Sequence, residues 1–139
     1  MLEYNVKDTI ELNDRIIAIA GGLNEKTHMI AIDISNTFYR IDIAQRKVIY
    51  KSEKREEGSF GSKICIMNSR EENWLACSKW DYEQNHIEIR SCLDFSVILR
   101  FHVRSHVNYL IELNGNHKLR GHLMAGFADG TCGIYKINI

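Results

Sequence analysis

The sequence predicts an all-β chain assembled from repeated four-stranded antiparallel units, and three observations carry that prediction. Apolar residues come in short runs of about four to seven, separated by polar or glycine-bearing turns, and no long stretch keeps the period of a helix. Eleven such runs are legible in 139 residues that contain no proline. A strand–turn–strand pattern also recurs three times at near-constant spacing, which is the signature of a repeat architecture.

The first unit reads as strands at Arg15–Ala20, His28–Ile34, Thr37–Ile43 and Val48–Lys51. "AGG" (Ala20–Gly22) ends the first of them in a flexible turn. The second unit reads as Lys63–Met67, Trp74–Lys79, His86–Ser91 and Ser96–His102. The third reads as Val107–Leu113, His122–Phe127 and Thr131–Asn138, and it lacks a fourth strand. The segment 2–6 ("LEYNV") is the candidate for that missing outer strand.

The repeat is clearest when "MIAIDISNTFYRID" (Met29–Asp42) is set above "LMAGFADGTCGIYK" (Leu123–Lys136), since both give strand, tight polar turn, threonine, strand. "WLACSKWDYEQNHIEIRS" (Trp74–Ser91) has the same plan with a longer turn. The turn exits Asn36, Asn85 and Gly130 lie 49 and 45 residues apart, within the range of propeller blades. Asp129-Gly130 favours a tight hairpin because glycine accepts positive φ and aspartate tolerates it. Unit boundaries fall at about 13–52, 62–102 and 106–139 in a single 1–139 domain.

On these residues the chain resembles the WD-repeat family of β-propellers. Leu123, Gly126, Asp129, Gly130, Thr131 and Ile134 match the family's blade pattern, Tyr135 stands where its tryptophan usually does, and His102 stands near its histidine. Ala125 replaces the usual serine, so the family's hydrogen-bond network is limited to His102, Asp129 and Tyr135. In the first copy Ser35 replaces the turn aspartate, and in the second Arg90-Ser91 replaces the closing dipeptide. The resemblance implies a partial β-propeller of about three four-stranded antiparallel blades. It also implies a non-catalytic scaffold for protein–protein interaction, part of a larger propeller or multi-protein assembly. Closed propellers need about four to eight blades, so the chain is expected to be a piece of a longer propeller or to self-associate into a ring.

Composition narrows the partners. Eighteen basic residues balance eighteen acidic ones, which leaves no basic field for nucleic acid or an anionic membrane. No apolar run approaches the roughly 20 residues of a membrane-spanning helix, and "MLEYNVKDTIEL" lacks the basic start and apolar middle expected of a signal peptide. Other proteins are therefore the expected partners and the cytoplasm the expected compartment, with the nucleus left open. Cys65, Cys77, Cys92 and Cys132 form no C-x-x-C pair and each sits in an apolar stretch, so all four are expected as free buried thiols.

Turns between blades and turns between second and third strands open on one face, and two long insertions fall there: Ser52–Ser62 and "WDYEQN" (Trp80–Asn85). Loops on a rigid scaffold are where binding concentrates. Trp80 and Tyr82, with Glu83, are the candidate partner-binding residues, because aromatics with a polar handle are enriched at interface hot spots. Arg104 and His106 in the next inter-blade turn join them. The competing expectations are that Trp80 folds back on the blade edge and that "EKREE" (Glu53–Glu57) is a solvated loop. His102 and His106 have the spacing of a helical metal pair, but they read as strand and turn, with no set of ligands to complete a tetrahedron. "GSFGSK" (Gly58–Lys63) departs from the phosphate-loop pattern and leads into a strand. Asp33, Asp81, Asp94 and Asp129 fall at separate turns or strand ends, so no catalytic, cofactor or metal residue is assigned. The alternative function is a small-ligand carrier built as an up-and-down β-barrel of about ten strands.

Overall fold

The computed structural model describes residues 3, 5, 8–53, 55–69, 71–113 and 118–138. Every regular element among them is a strand, and there are eleven. β1 (Ile16–Ala20), β2 (His28–Asp33), β3 (Phe38–Asp42) and β4 (Lys47–Lys51) form one sheet in chain order. β5 (Ser59–Met67), β6 (Trp74–Asp81), β7 (Gln84–Ser91) and β8 (Val97–Val103) form a second. β9 (Val107–Leu113), β10 (His122–Phe127) and β11 (Cys132–Lys136) form a third, of three strands. All neighbours are antiparallel. The all-β, three-bladed partial propeller is thus the architecture.

Three separate sheets overturn the barrel alternative. A barrel requires one sheet closed on itself, whereas here β4 does not pair with β5, nor β8 with β9. Of the segment 2–6, residues 2, 4 and 6 lie outside the described residues, and Glu3 and Asn5 are in no strand.

The blades stack by burying apolar faces. Phe38, Ile30 and Ile32 of the first sheet meet Phe60, Leu75, Cys77 and Phe95 of the second. Phe38 stands edge-on to Phe60 at 5.0 Å and stacks on Phe95 at 5.2 Å. Ile87, Ile89, Ala76 and Trp74, on the opposite face of the second sheet, meet Leu110, Leu123 and Phe127 of the third. The middle blade is therefore covered on both faces, and each large side chain buried there contributes about 1.5–3 kcal/mol. The outer face of the first blade, with Ala31, Tyr39 and Ile41, is partly covered by Ile10 and Leu12. The outer face of the third leaves Tyr109, Ile111 and Ile134 exposed.

The cysteine expectation needs one correction. All four thiols are free; Cys77 and Cys92 are buried and Cys65 half-buried, but Cys132 is exposed, because its strand shows that side to the uncovered face of the third blade. Burial pushes the thiols of Cys65, Cys77 and Cys92 up to about 12.

Candidate functional site

The turns joining second to third strands share one rim with the inter-blade loops. Asn36, in the β2–β3 turn, donates from Nδ2 to the carbonyls of Glu56 (3.2 Å) and Gly58 (2.8 Å) in the first inter-blade loop. The Tyr82 hydroxyl, in the β6–β7 turn, donates to Glu57 Oε2 at 3.0 Å. The Ala128 amide, in the β10–β11 turn, donates to the His106 carbonyl at 2.8 Å, and Arg104 Nε pairs with Asp129 Oδ2 at 3.0 Å. Turn and loop thus meet in every blade.

Local chemistry builds two of these turns alike. In the first, Asn36 N bonds Asp33 O and Asp33 N bonds Thr37 O; in the third, Gly130 N bonds Phe127 O and Phe127 N bonds Thr131 O. Asn36 and Gly130 both have positive φ, 65° and 87°, as a three-residue hairpin loop requires. Asp129 accepts from the Thr131 hydroxyl and amide, and these bonds hold its carboxyl below the ordinary aspartate value.

The middle turn is different, and it corrects the sequence expectation. "WDYEQN" is not a long loop: β6 continues to Asp81, β7 starts at Gln84, and Trp80 pairs with Asn85. Only Tyr82 and Glu83 turn the chain, with φ of 46° and 62°. That is the conformation in which Asn-Gly is strongly preferred. The first inter-blade loop is shorter than expected for the same reason, since β5 begins at Ser59.

The five candidate residues do not gather in one cleft. Trp80 is 48% exposed and lines a small cleft of about 60 Å³ with Ser59, Asn85 and His106. Tyr82 is 80% exposed and leans on Glu57. That hydrogen bond raises the phenol above its ordinary value. Glu83 is exposed at the turn tip, and Arg104 is engaged with Asp129.

The limited His102–Asp129–Tyr135 network does not form. His102 lies within β8 and packs on His86 with ring centroids 4.5 Å apart. Tyr135 packs on Phe101 at 5.0 Å, and Asp129 is held by Thr131 and Arg104. The reason is register: β8 extends to Val103 and pairs His102 with His86, so the histidine belongs to the second blade.

Sequence reasoning missed a buried ionic group on the seam between first and second blades. Arg90 and Glu88 are 1% and 0% exposed. Arg90 Nε and Nη2 donate to Glu88 Oε1 at 3.0 and 2.7 Å, and Nη1 donates to Glu56 Oε1 at 2.9 Å and to the Phe95 carbonyl at 3.0 Å. Its guanidinium carbon lies 4.7 Å from the Phe38 ring centre and 5.2 Å from that of Phe60. Lys79 Nζ reaches Glu56 Oε2 at 3.3 Å and Asp81 Oδ2 at 3.9 Å, and Asp81 pairs with His86 Nε2 at 2.9 Å. "EKREE" is therefore not wholly solvated. Burial alone would raise the Glu56 carboxyl, but Arg90 and Lys79 outweigh it and hold Glu56 below the usual carboxylate value. The available signal was the alternation of Lys79 with Asp81, and of His86, Glu88 and Arg90, on one strand face. Among the described residues no group of three or more His, Cys, Asp or Glu side chains is placed to hold a metal ion.

No family model matches the chain, and no curated protein matches it. Solved structures with a similar fold do. The β-propeller domain of Cps50 (Swd1) from Myceliophteria thermophila is 14% identical at a TM-score of 0.67, over 97% of this chain and 39% of that one. Hsv2 from Kluyveromyces lactis is 14% identical at 0.64, over 91% of this chain and 34% of that one. BamB from Moraxella catarrhalis is 11% identical at 0.59, over 83% and 30%. The chain spans well under half the length of each, and what it shares with them is the fold: about three blades of a β-propeller.

Proposed function

We propose that this chain is a non-catalytic, intracellular protein-interaction module that supplies three blades to a larger propeller or multi-protein assembly and recognises another protein with its loop rim. The observation that carries the rim is the β6–β7 turn. Two non-glycine residues stand there with positive φ, at a cost of about 1–3 kcal/mol each, and they present the most exposed large hydrophobic side chain among the described residues, Tyr82. Its hydroxyl is tethered to Glu57, so little ring freedom remains to be lost on binding. Trp80 and His106 border the adjoining cleft.

The end faces support association. Tyr109, Ile111 and Ile134 on the third blade, and Ile16, Ile19 and Ile43 around the first, are exposed apolar side chains of the kind the inner blade faces bury. Contiguous apolar surface of this sort marks interfaces.

The test replaces Tyr82-Glu83 by Asn-Gly. That pair suits the turn, so thermal stability is held or raised, while the aromatic anchor is lost. A photo-crosslinker placed at Glu83 of the otherwise unaltered chain is expected to trap a discrete protein in cells, and the Asn-Gly turn, with the crosslinker moved to Gln84, is expected to lose it. Equal capture by both chains discards the rim. Native mass spectrometry of the chain with and without Ile134→Arg addresses the end face, and an unchanged oligomer distribution discards association there.

A further inference from the structure

We infer that Lys79 and Arg90 form a carboxylate-binding pocket at the seam of the first two blades, filled in this chain by its own Glu56, and that an acidic side chain of a bound protein exchanges with it. The two cations are side chains 4% and 2% exposed, and each takes one oxygen of the Glu56 carboxylate, Oε2 at 3.3 Å from Lys79 Nζ and Oε1 at 2.9 Å from Arg90 Nη1. The bracket is the width of one carboxylate.

The pocket does not depend on Glu56 for its shape. Glu88 and the Phe95 carbonyl hold the Arg90 guanidinium from other directions, and the rings of Phe38 and Phe60 flank it. Lys79 Nζ lies 5.1 Å from the Phe60 ring centre and 3.9 Å from Asp81. Glu56, in contrast, comes from a loop whose backbone is pinned separately by Asn36. Its side chain can leave without unfolding a strand. When it leaves, Arg90 keeps Glu88, but Lys79 is left with Asp81 at 3.9 Å, a carboxylate that His86 also engages, and an under-paired buried charge is costly. An entering anion is then favoured.

Access is provided from the rim. Glu56 is 13% exposed and lines a polar groove of about 610 Å³. Among the described lining residues the groove carries the hydroxyls of Thr37 and Ser52 and the cations Lys51 and Arg55, against the carboxylate of Glu53, while the Ser35 hydroxyl is already committed to Asp14. Hydroxyl donors and cations at the mouth favour an entering carboxylate. The exchange rests on the rim's role in protein recognition; the pocket itself does not.

The test uses the full chain carrying Glu56→Ala. Its melting temperature is expected to fall, and sodium formate or acetate is expected to restore at least half of the loss in a saturable way that sodium chloride of equal ionic strength does not. Adding Lys79→Met is expected to abolish that restoration. Equal rescue by chloride, or undiminished rescue with Lys79→Met, overturns the pocket. Should Glu56→Ala accumulate unfolded, the salts are compared during refolding, and equal recovery with formate and chloride overturns it as well. Formate rescue in a chain that also carries the Asn-Gly turn keeps this result separate from the aromatic rim. For the exchange, amide hydrogen exchange at residues 55–58 of the wild-type chain is expected to quicken several-fold with a glutamate oligopeptide and not with a lysine oligopeptide. An unchanged rate removes the exchange and leaves the pocket.

Discussion

Glu88→Gln measures what a charge pair is worth on a blade face that the stacking has sealed. The carboxylate is 0% exposed. Oε1 accepts from Arg90 Nε and Nη2 at 3.0 and 2.7 Å, and Oε2 from Arg100 Nε at 2.8 Å. Glutamine keeps the volume but removes the charge and turns one acceptor into a donor that faces a guanidinium. Breaking a buried pair from one side costs about 3–5 kcal/mol. The lower end applies, because Arg90 keeps Glu56 and the Phe95 carbonyl, and Arg100, 42% exposed, is hydrated when released. A chain of this size loses about 4 °C of Tm per kcal/mol, so the expected fall is about 12 °C. Urea denaturation followed by circular dichroism reads the free energy directly. Arg90→Met is expected to cost about as much, since it leaves Glu88 Oε1 without a cation and Glu88 with Arg100 alone. The double variant is expected to fall short of the sum by about 1 kcal/mol or more, since each change removes the charge that the other strands. A single-variant loss below about 1 kcal/mol, or a fully additive double variant, would refute the assignment of Arg90–Glu88 as a sealed pair.

Two further predictions follow from local geometry. Gly58 and Gly130 have φ of +82° and +87°, but a Cβ on Gly58 would lie 2.6 Å from the Trp80 carbonyl oxygen while one on Gly130 meets nothing within 4 Å. Gly130→Ala is expected to cost about 1 kcal/mol, the left-handed penalty alone, and Gly58→Ala about 3 kcal/mol because backbone must also move; equal losses in urea would contradict this. With a thiol-specific disulfide reagent, the native chain is expected to react rapidly at Cys132 alone, since Cys65, Cys77 and Cys92 have thiols pushed up to about 12 by burial. All four react in denaturant, and rapid native labelling of Cys77 or Cys92, located by peptide mapping, would count against the packing.

Strand content and order were legible because they are local properties. Alternation and β-branched runs placed all eleven strands, and the Asp129-Gly130 turn announced its hairpin through a residue pair with a known φ preference. Tyr82-Glu83 announced nothing. Its side chains are unsuited to positive φ, so a polar stretch that in fact continues both strands reads from sequence as an open loop. His102 falls in the fourth strand of the second unit as expected, but its network with Asp129 and Tyr135 fails for a related reason, since its partner His86 is set by cross-strand register rather than by distance along the chain.

The sequence by itself determined how many strands there are, their order, and the repeated hairpins that make each unit a meander, because turn chemistry and period-two patterning act over a few residues. Only the tertiary structure decided which faces are dry. Alternation says that His86, Glu88 and Arg90 share a face, and ordinarily a charged face is a wet one. Stacking the first blade against that face removes the water, so charge must there be matched by charge: Arg90 with Glu88, and Lys79 and Arg90 with a carboxylate that the chain brings in from its rim as Glu56.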